Sequence, residues 1–218
     1  MLIILMILYL TLLEANVSFN TRSLNVETIL SSLVKGNFVI PPFQRRYVWK
    51  KEKVAYLALS IIKNIPIPPI YMYVDRTTKK QVVLDGQQRM IALFLYFNDL
   101  TYVRSDHHID FRVVNDLNSR LRLHEEKKES LIKEGAKRAE LREIEKEIQD
   151  LSKELLDVHG MKRCSYTVQT ENSREGDGEL DISYRKFDHN SREYILAKYM
   201  DITLVECNDL KPQKTYSN

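Results

Sequence analysis

The sequence predicts an α+β domain, a small mixed sheet with packed helices that is interrupted by a charged helical insertion. Three observations carry this. Apolar residues recur at helical spacing in some stretches and as short β-branched or aromatic runs in others. The two kinds follow one another without a repeating βαβ unit. Residues 117–160 then change in kind, becoming dense in Glu, Lys and Arg with little Gly or Pro. A chain of 218 residues, 44% hydrophobic and 29% charged, can form one ordinary domain with a good core and an added element. The expected organisation is an apolar segment at 1–19, a core at 20–116, the insertion at 117–160, and strands and a helix of the same domain at 161–218.

The opening MLIILMILYLTLL is an almost unbroken apolar run of thirteen residues with no Lys or Arg before it. It is shorter than the roughly 20 residues of a spanning helix, and Glu14-Ala15-Asn16-Val17-Ser18 is a poor cleavage site. Membrane insertion is therefore not expected. A packed helix, or residues added upstream of a domain beginning near Thr21, fits better. Next, Val26, Ile29, Leu30 and Leu33 share a helical face stopped by Gly36, and Phe38-Val39-Ile40 is a short extended run. Pro41-Pro42 forces a helix-free turn. Val54, Leu57, Ile61 and Ile65 predict a helix of about four turns ending at Pro66.

IYMYVD and QVVLD, joined by the polar RTTKK, have the form of a β-hairpin. From Gln87 to Asn98, the residues Met90, Ile91, Phe94 and Phe97 recur at helical spacing, and IDFRVV reads as a further strand. Within the insertion, Leu141, Ile144, Ile148, Leu151 and Leu155 alternate steps of three and four, as in a heptad seam. Gly135 divides the stretch into two antiparallel helices or one long broken helix, either a spacer closed on itself or a surface for self-association or a partner. KRCSYTVQTENSREGDGELDISYRKF alternates strand-like runs around a polar loop at Glu175–Gly178. SREYILAKYM is helical in pattern, and DITLVEC is a final strand.

The chemistry concentrates in one polar knot, Asp85-Gly86-Gln87-Gln88-Arg89, set where a strand becomes a helix. Such a junction presents unpaired N–H groups at a positive helix end, a natural anion site. Gly86 allows close approach, Arg89 can grip a phosphate through two N–H groups, and the Gln87 and Gln88 amides can donate or accept. Asp85 would repel a bare phosphate unless it held a cation, oriented Arg89 or contacted a hydroxyl, so the set points to a nucleotide, with the carboxylate serving Mg²⁺ or a water. A purely structural alternative is a turn in which Asp85 caps the helix and pairs with Arg89. A second knot, Gln44-Arg45-Arg46, repeats the amide and guanidinium chemistry just after Pro41-Pro42. Its own alternative is a basic surface turn with Trp49 as a core anchor.

The long motifs FVIPPFQRRYVWKKEKVAYLALSIIKNIPIPPIYMYVD and VVLDGQQRMIALFLYF together resemble the N-terminal half of the domain of unknown function 262 family. This is the GmrS-type domain of modification-dependent restriction and anti-phage systems. The resemblance runs from about Ser23 to Asn98 and resumes near ILAKYMDITLVEC. It implies a ParB/sulfiredoxin-like fold that binds and hydrolyses a nucleoside triphosphate with Mg²⁺. The pocket it implies is built from Gln44, Arg45, Gly86, Gln87, Gln88 and Arg89, with Arg89 as phosphate clamp and Asp85 as organiser of metal or water. In the family this activity is coupled to a separate nuclease domain that cuts foreign or modified DNA. Family members continue past the strand matched by DITLVEC into a Phe-x-x-x-Asn segment and helices, so a C-terminally truncated domain is expected. No His-Asn-His nuclease arrangement accompanies it in this sequence.

Composition limits the alternatives. A formal charge of +3 and a pI near 8.7 permit contact with phosphates without requiring it. A non-hydrolytic DNA-binding or adaptor module would use Arg45, Arg46, Lys50, Lys51 and Lys53 as a basic strip beside Trp49, and an inactive fragment of a longer enzyme is a third reading. Cys164 and Cys207 lack Cys-x-x-Cys spacing, which fits neither a disulfide scaffold nor a zinc ribbon and suits a cytoplasmic setting. His107-His108 is a weak metal candidate.

Overall fold

The computed structural model describes residues 17–42, 44–103, 109–170 and 178–207. The apolar run at 1–13 and the pair His107-His108 lie outside them. In chain order the elements are β1 (Val17–Asn25), α1 (Val26–Val34), β2 (Phe38–Val39), α2 (Lys51–Ile62), β3 (Ile70–Val74), β4 (Gln81–Asp85) and α3 (Gln87–Phe97). Then follow β5 (Leu100–Tyr102), α4 (Phe111–Lys133), α5 (Arg138–His159), β6 (Met161–Arg163), β7 (Thr167–Thr170), β8 (Gly178–Asp181), α6 (His189–Leu196) and β9 (Tyr199–Cys207). The class is α+β, as the unrepeated order of elements predicts.

The main sheet is mixed, with strand order β1-β9-β3-β4-β2. β1 is antiparallel to β9, β9 parallel to β3, β3 antiparallel to β4, and β4 parallel to β2. The predicted hairpin is present: its turn is closed by Asp75, whose carboxylate accepts from the Thr77 N–H and the Thr78 hydroxyl. Two small antiparallel pairs, β5 with β6 and β7 with β8, lie apart from the main sheet.

α3 is the centre of the core. From Met90 to Phe97 every residue is buried, so a helix apolar on all sides has been placed where all sides are covered. Val26, Ile29 and Leu33 of α1, Val54, Ala58 and Ile61 of α2, and Ile70, Met72, Val83 and Ile202 of the sheet belong to the same cluster. Asn25 starts α1 by accepting from the Thr28 N–H at 2.9 Å.

Three readings of the sequence are corrected. IDFRVV is not a strand: Asp110 accepts from the N–H groups of Arg112 and Val113 and starts α4 at Phe111. The β-branched residues there are outweighed by a helical face that continues through Val114, Leu117 and Leu121. α2 ends at Ile62, not Ile65, because Asn64 turns left-handed (φ 57°) and leaves Ile65 exposed. The helix within SREYILAKYM stops at Leu196, since Tyr199 and Met200 already belong to β9, in register with Asn25 and Leu24. β1 itself was not foreseen; it starts within the segment read as apolar leader and crosses its boundary.

The insertion is two antiparallel helices. Lys128 pairs with Glu145 at 2.7 Å and His124 with Glu147 at 3.0 Å, while Leu117, Leu121, Leu151 and Ile148 form a small core between the helices. A buried polar network fastens its base to the end of α3. The Asn118 Nδ2 donates to the Asn98 carbonyl and to Asn98 Oδ1, both at 3.0 Å, and the Arg163 Nη1 donates to Asn118 Oδ1 at 3.1 Å. Among the described residues no helix is long and apolar enough to cross a membrane.

Asn118→Leu keeps the volume but removes the donor from two buried acceptors and a partner from Arg163. We expect a loss of about 2–4 kcal/mol in urea denaturation, with an unchanged m-value.

Candidate functional site

The junction between β4 and α3 is shaped by two backbone irregularities. Tyr71 faces Asp85 whereas Met72 faces Val83, so Leu84 is an extra residue, a bulge directly before the acid. Gly86 then takes φ 95°, ψ 5° at the helix start. A Cβ at Gly86 would lie 2.9 Å from Ile70 Cγ1 and 3.2 Å from the Arg89 guanidinium, so both backbone conformation and space require glycine. Among the described residues no side chain caps α3, which leaves its first turn electropositive.

The two sequence knots meet here, and they meet through side chain and main chain. The Gln87 Nε2 donates to the Arg45 carbonyl, and the Gln88 Nε2 donates to the Arg46 carbonyl at 3.1 Å. The Val48 N–H donates to Gln88 Oε1 at 2.9 Å, and the Gln44 Nε2 donates to the Val83 carbonyl on β4. Segment 44–48 is thereby laced onto β4 and the start of α3 by three amides. Gln87 and Gln88 are only 8% and 5% exposed, so they face this wall. Their geometry is that of positioning groups, which fix where Arg45 and Arg46 sit. Tyr47 anchors the same segment, buried against Tyr102 with ring centroids 5.4 Å apart.

Arg89 is also engaged. Its Nη1 donates to the Pro68 carbonyl at 2.6 Å, and its Nη2 donates to the Pro69 carbonyl at 3.2 Å and lies 3.4 Å from Asp85 Oδ2. Burial pulls its pKa below the usual guanidinium value, and Asp85 opposes that. The Arg89 guanidinium thus ties the loop before β3 to the helix start; direct phosphate contact would require release of these carbonyls. Asp85 points the other way in burial, with its side chain 54% exposed. Arg45, Arg46 and Lys50 are exposed, and among the described residues no ion pair holds them. Lys51 is partly buried, and the Lys53 ammonium lies 4.3 Å from the centroid of the Trp49 ring. Pro68 and Pro69, whose carbonyls orient Arg89, were missed in the sequence, although the IPIPPI run was their signal.

The arrangement offers an exposed carboxylate, two exposed guanidinium groups on a fixed wall, and an uncapped helix start. Among the described residues no group of three or more His, Cys, Asp or Glu could cage a metal ion, so any cation here must bring most of its ligands with it. A Mg²⁺ carried by phosphates does so, keeping waters and needing one or two protein carboxylates, and Asp85 fits that need. Burial pushes the Cys164 thiol up to about 11, which leaves it protonated and unsuited to nucleophilic work.

A family model described as GmrSD restriction endonuclease, N-terminal domain, matches residues 26–216. No curated protein and no solved structure matches the chain.

Two substitutions test the junction by denaturation. Gly86→Ala should cost at least about 2 kcal/mol, from a left-handed backbone and contact with Ile70. Gln88→Leu should cost about 2–4 kcal/mol, because it orphans the Arg46 carbonyl and the Val48 N–H together.

Proposed function

The chain belongs to the family of GmrSD restriction endonuclease N-terminal domains, and from that membership we propose that it binds and hydrolyses a nucleoside triphosphate with Mg²⁺. As a member it is a component of a restriction system. In the proposed role it acts as the regulatory part for a nuclease carried elsewhere, in the cytoplasm, and DNA is contacted mainly by that partner.

The observation that carries this reading is the lacing of Gln44-Arg45-Arg46 onto the Asp85–Arg89 junction by the Gln87 and Gln88 amides. It fixes the backbone of two exposed arginines against an uncapped helix start that follows an exposed carboxylate. Arg45 and Arg46 supply the cationic contacts to the phosphates, and the first-turn N–H groups of α3 add donors. Gly86 makes the left-handed turn by which the strand passes into the helix and leaves room for Ile70 and Arg89. Asp85 would hold the Mg²⁺, and the ion, when bound, offsets the charge of the phosphates. Asp85 can also orient the attacking water. Gln87, Gln88, Gln44 and Arg89 are positioning residues, since each spends its donors on the backbone that forms the pocket walls.

A second reading, a non-hydrolytic DNA adaptor, draws on the exposed strip of Arg45, Arg46 and Lys50. Phosphate contacts of that kind weaken steeply with salt.

Binding of each Mg²⁺-nucleoside triphosphate by calorimetry, with phosphate release alongside, separates the two. Arg45→Ala and Asp85→Asn should each weaken nucleotide affinity at least about tenfold, the loss of one charge-assisted contact, and abolish turnover, while the melting temperature stays unchanged. Equal affinity in both variants would sink the nucleotide site. Salt-sensitive duplex binding in a protein that takes no nucleotide would favour the adaptor.

A further inference from the structure

At the opposite end of α3, α4, α5 and the segment from Tyr184 to Arg192 line a cavity of about 730 Å³. Six of its lining residues are cationic and three are acidic. Its four arginines come from four places in the chain: Arg122 on α4, Arg163 on β6, Arg185 in a 3₁₀ turn at Tyr184–Lys186, and Arg192 on α6. The Nε atoms of Arg122, Arg163 and Arg192 are buried and have no hydrogen-bond partner among the described residues.

The contacts these arginines do make leave much of their charge uncompensated. The Arg122 Nη2 donates to the Phe97 carbonyl at 2.9 Å and lies 3.5 Å from Asp99 Oδ2. Arg163 pairs with Glu125. The Arg185 Nη2 donates to the Ser165 hydroxyl at 3.3 Å, and the Arg192 Nη2 donates to the Arg185 carbonyl. Among the described residues, four guanidinium groups therefore share two paired carboxylates, Asp99 and Glu125, with Asp181 acting on Arg185 from farther off. Glu126 and Glu129, the other acids of the lining, are exposed, and the lining Lys128 is already paired with Glu145. Burial lowers the pKa of Arg122; Asp99 opposes this, whereas Arg163 and Arg192 add to it. Like charges crowded in a sheltered cleft cost free energy unless an anion joins them.

We infer that this cavity binds a small phosphorylated anion, with Arg122, Arg163, Arg185 and Arg192 as its receptor. Guanidinium forks match phosphate oxygens in pairs, and several converging forks suit a group of two or more negative charges. The volume lies in the range of small-molecule sites. Exposed Glu126 and Glu129 oppose a long polyanion, which favours a small ligand over nucleic acid. The site is separate from the nucleotide pocket proposed above, because the eleven-residue α3, about 16 Å long, lies between them.

The test uses the full chain and sodium tripolyphosphate as probe, followed by thermal melting at low ionic strength. Saturating tripolyphosphate should raise the melting temperature by about 5 °C or more. In the Arg45→Ala background, which removes a phosphate contact of the pocket proposed above, the rise should vanish on adding the Arg185→Glu, Lys186→Glu double variant, whose altered residues are both exposed and whose own melt reports its folding. It should vanish also on adding Arg192→Gln to that background and persist in Arg45→Ala alone. No rise at millimolar tripolyphosphate, or an equal rise when the double variant is added to Arg45→Ala, overturns the site. A rise lost in Arg45→Ala but kept in the double variant places the anion at the Asp85–Arg89 junction, which also overturns this site and leaves the nucleotide reading intact. Duplex DNA bound more tightly than tripolyphosphate through Arg185 and Lys186 would overturn the small-anion assignment.

Discussion

Two buried carboxamides hold the candidate site together. Gln87 and Gln88 stand in the first turn of the central helix, and they reach across to the main chain of Arg45, Arg46 and Val48. A glutamine is suited to this because one end donates and the other accepts, so Gln88 satisfies a carbonyl and an N–H of an irregular segment at once. Without such partners, segment 44–48 would carry unpaired, partly buried backbone groups at a cost of up to about 1–3 kcal/mol each. With them, a stretch that belongs to no helix or strand becomes a fixed wall. Arg45 and Arg46, whose side chains are exposed, ride on that wall, and the exposed carboxylate of Asp85 lies two residues before Gln87.

The same helix organises what lies at its other end. α3 is buried all round, which it can be because its sequence is apolar on every face after the first turn. It enters the core at Gly86 and leaves it at Asn98 and Asp99, where a polar network of Asn118, Arg122 and Arg163 fastens the helical insertion. The junction proposed to bind a nucleotide and the cationic cavity thus stand at the two ends of one packed rod. Both ends depend on side chains that bond to backbone groups outside their own element.

What was legible in the sequence follows from how local each signal is. The β3–β4 hairpin, α1, α3 and the paired insertion helices are periodic over their own length, and Asp85-Gly86 at a strand-to-helix junction is a local pattern. β1 was not legible, since its pairing partner β9 lies some 180 residues away and its own residues alternate weakly. IDFRVV misled because β-branched residues suit a strand, whereas the Asp110 cap and the apolar spacing beyond it decide for a helix. At the site, the residue types were readable but not the direction of their bonds. Gln87, Gln88 and Arg89 look like ligand-facing groups in a linear motif, yet folding turns their donors to the carbonyls of residues 45, 46, 68 and 69. The four arginines of the second cavity leave no mark in the sequence, because they converge from separate elements with no common spacing.

The central claim is that residues 44–48 and 85–89 form one nucleotide pocket. Backbone amide shifts recorded during titration with a Mg²⁺-bound nucleoside triphosphate test it most directly. The account predicts the largest changes at the N–H groups of residues 44–48 and 86–89, in both segments together and with one dissociation constant. Saturable changes confined elsewhere in the chain, or changes in only one of the two segments, would contradict it.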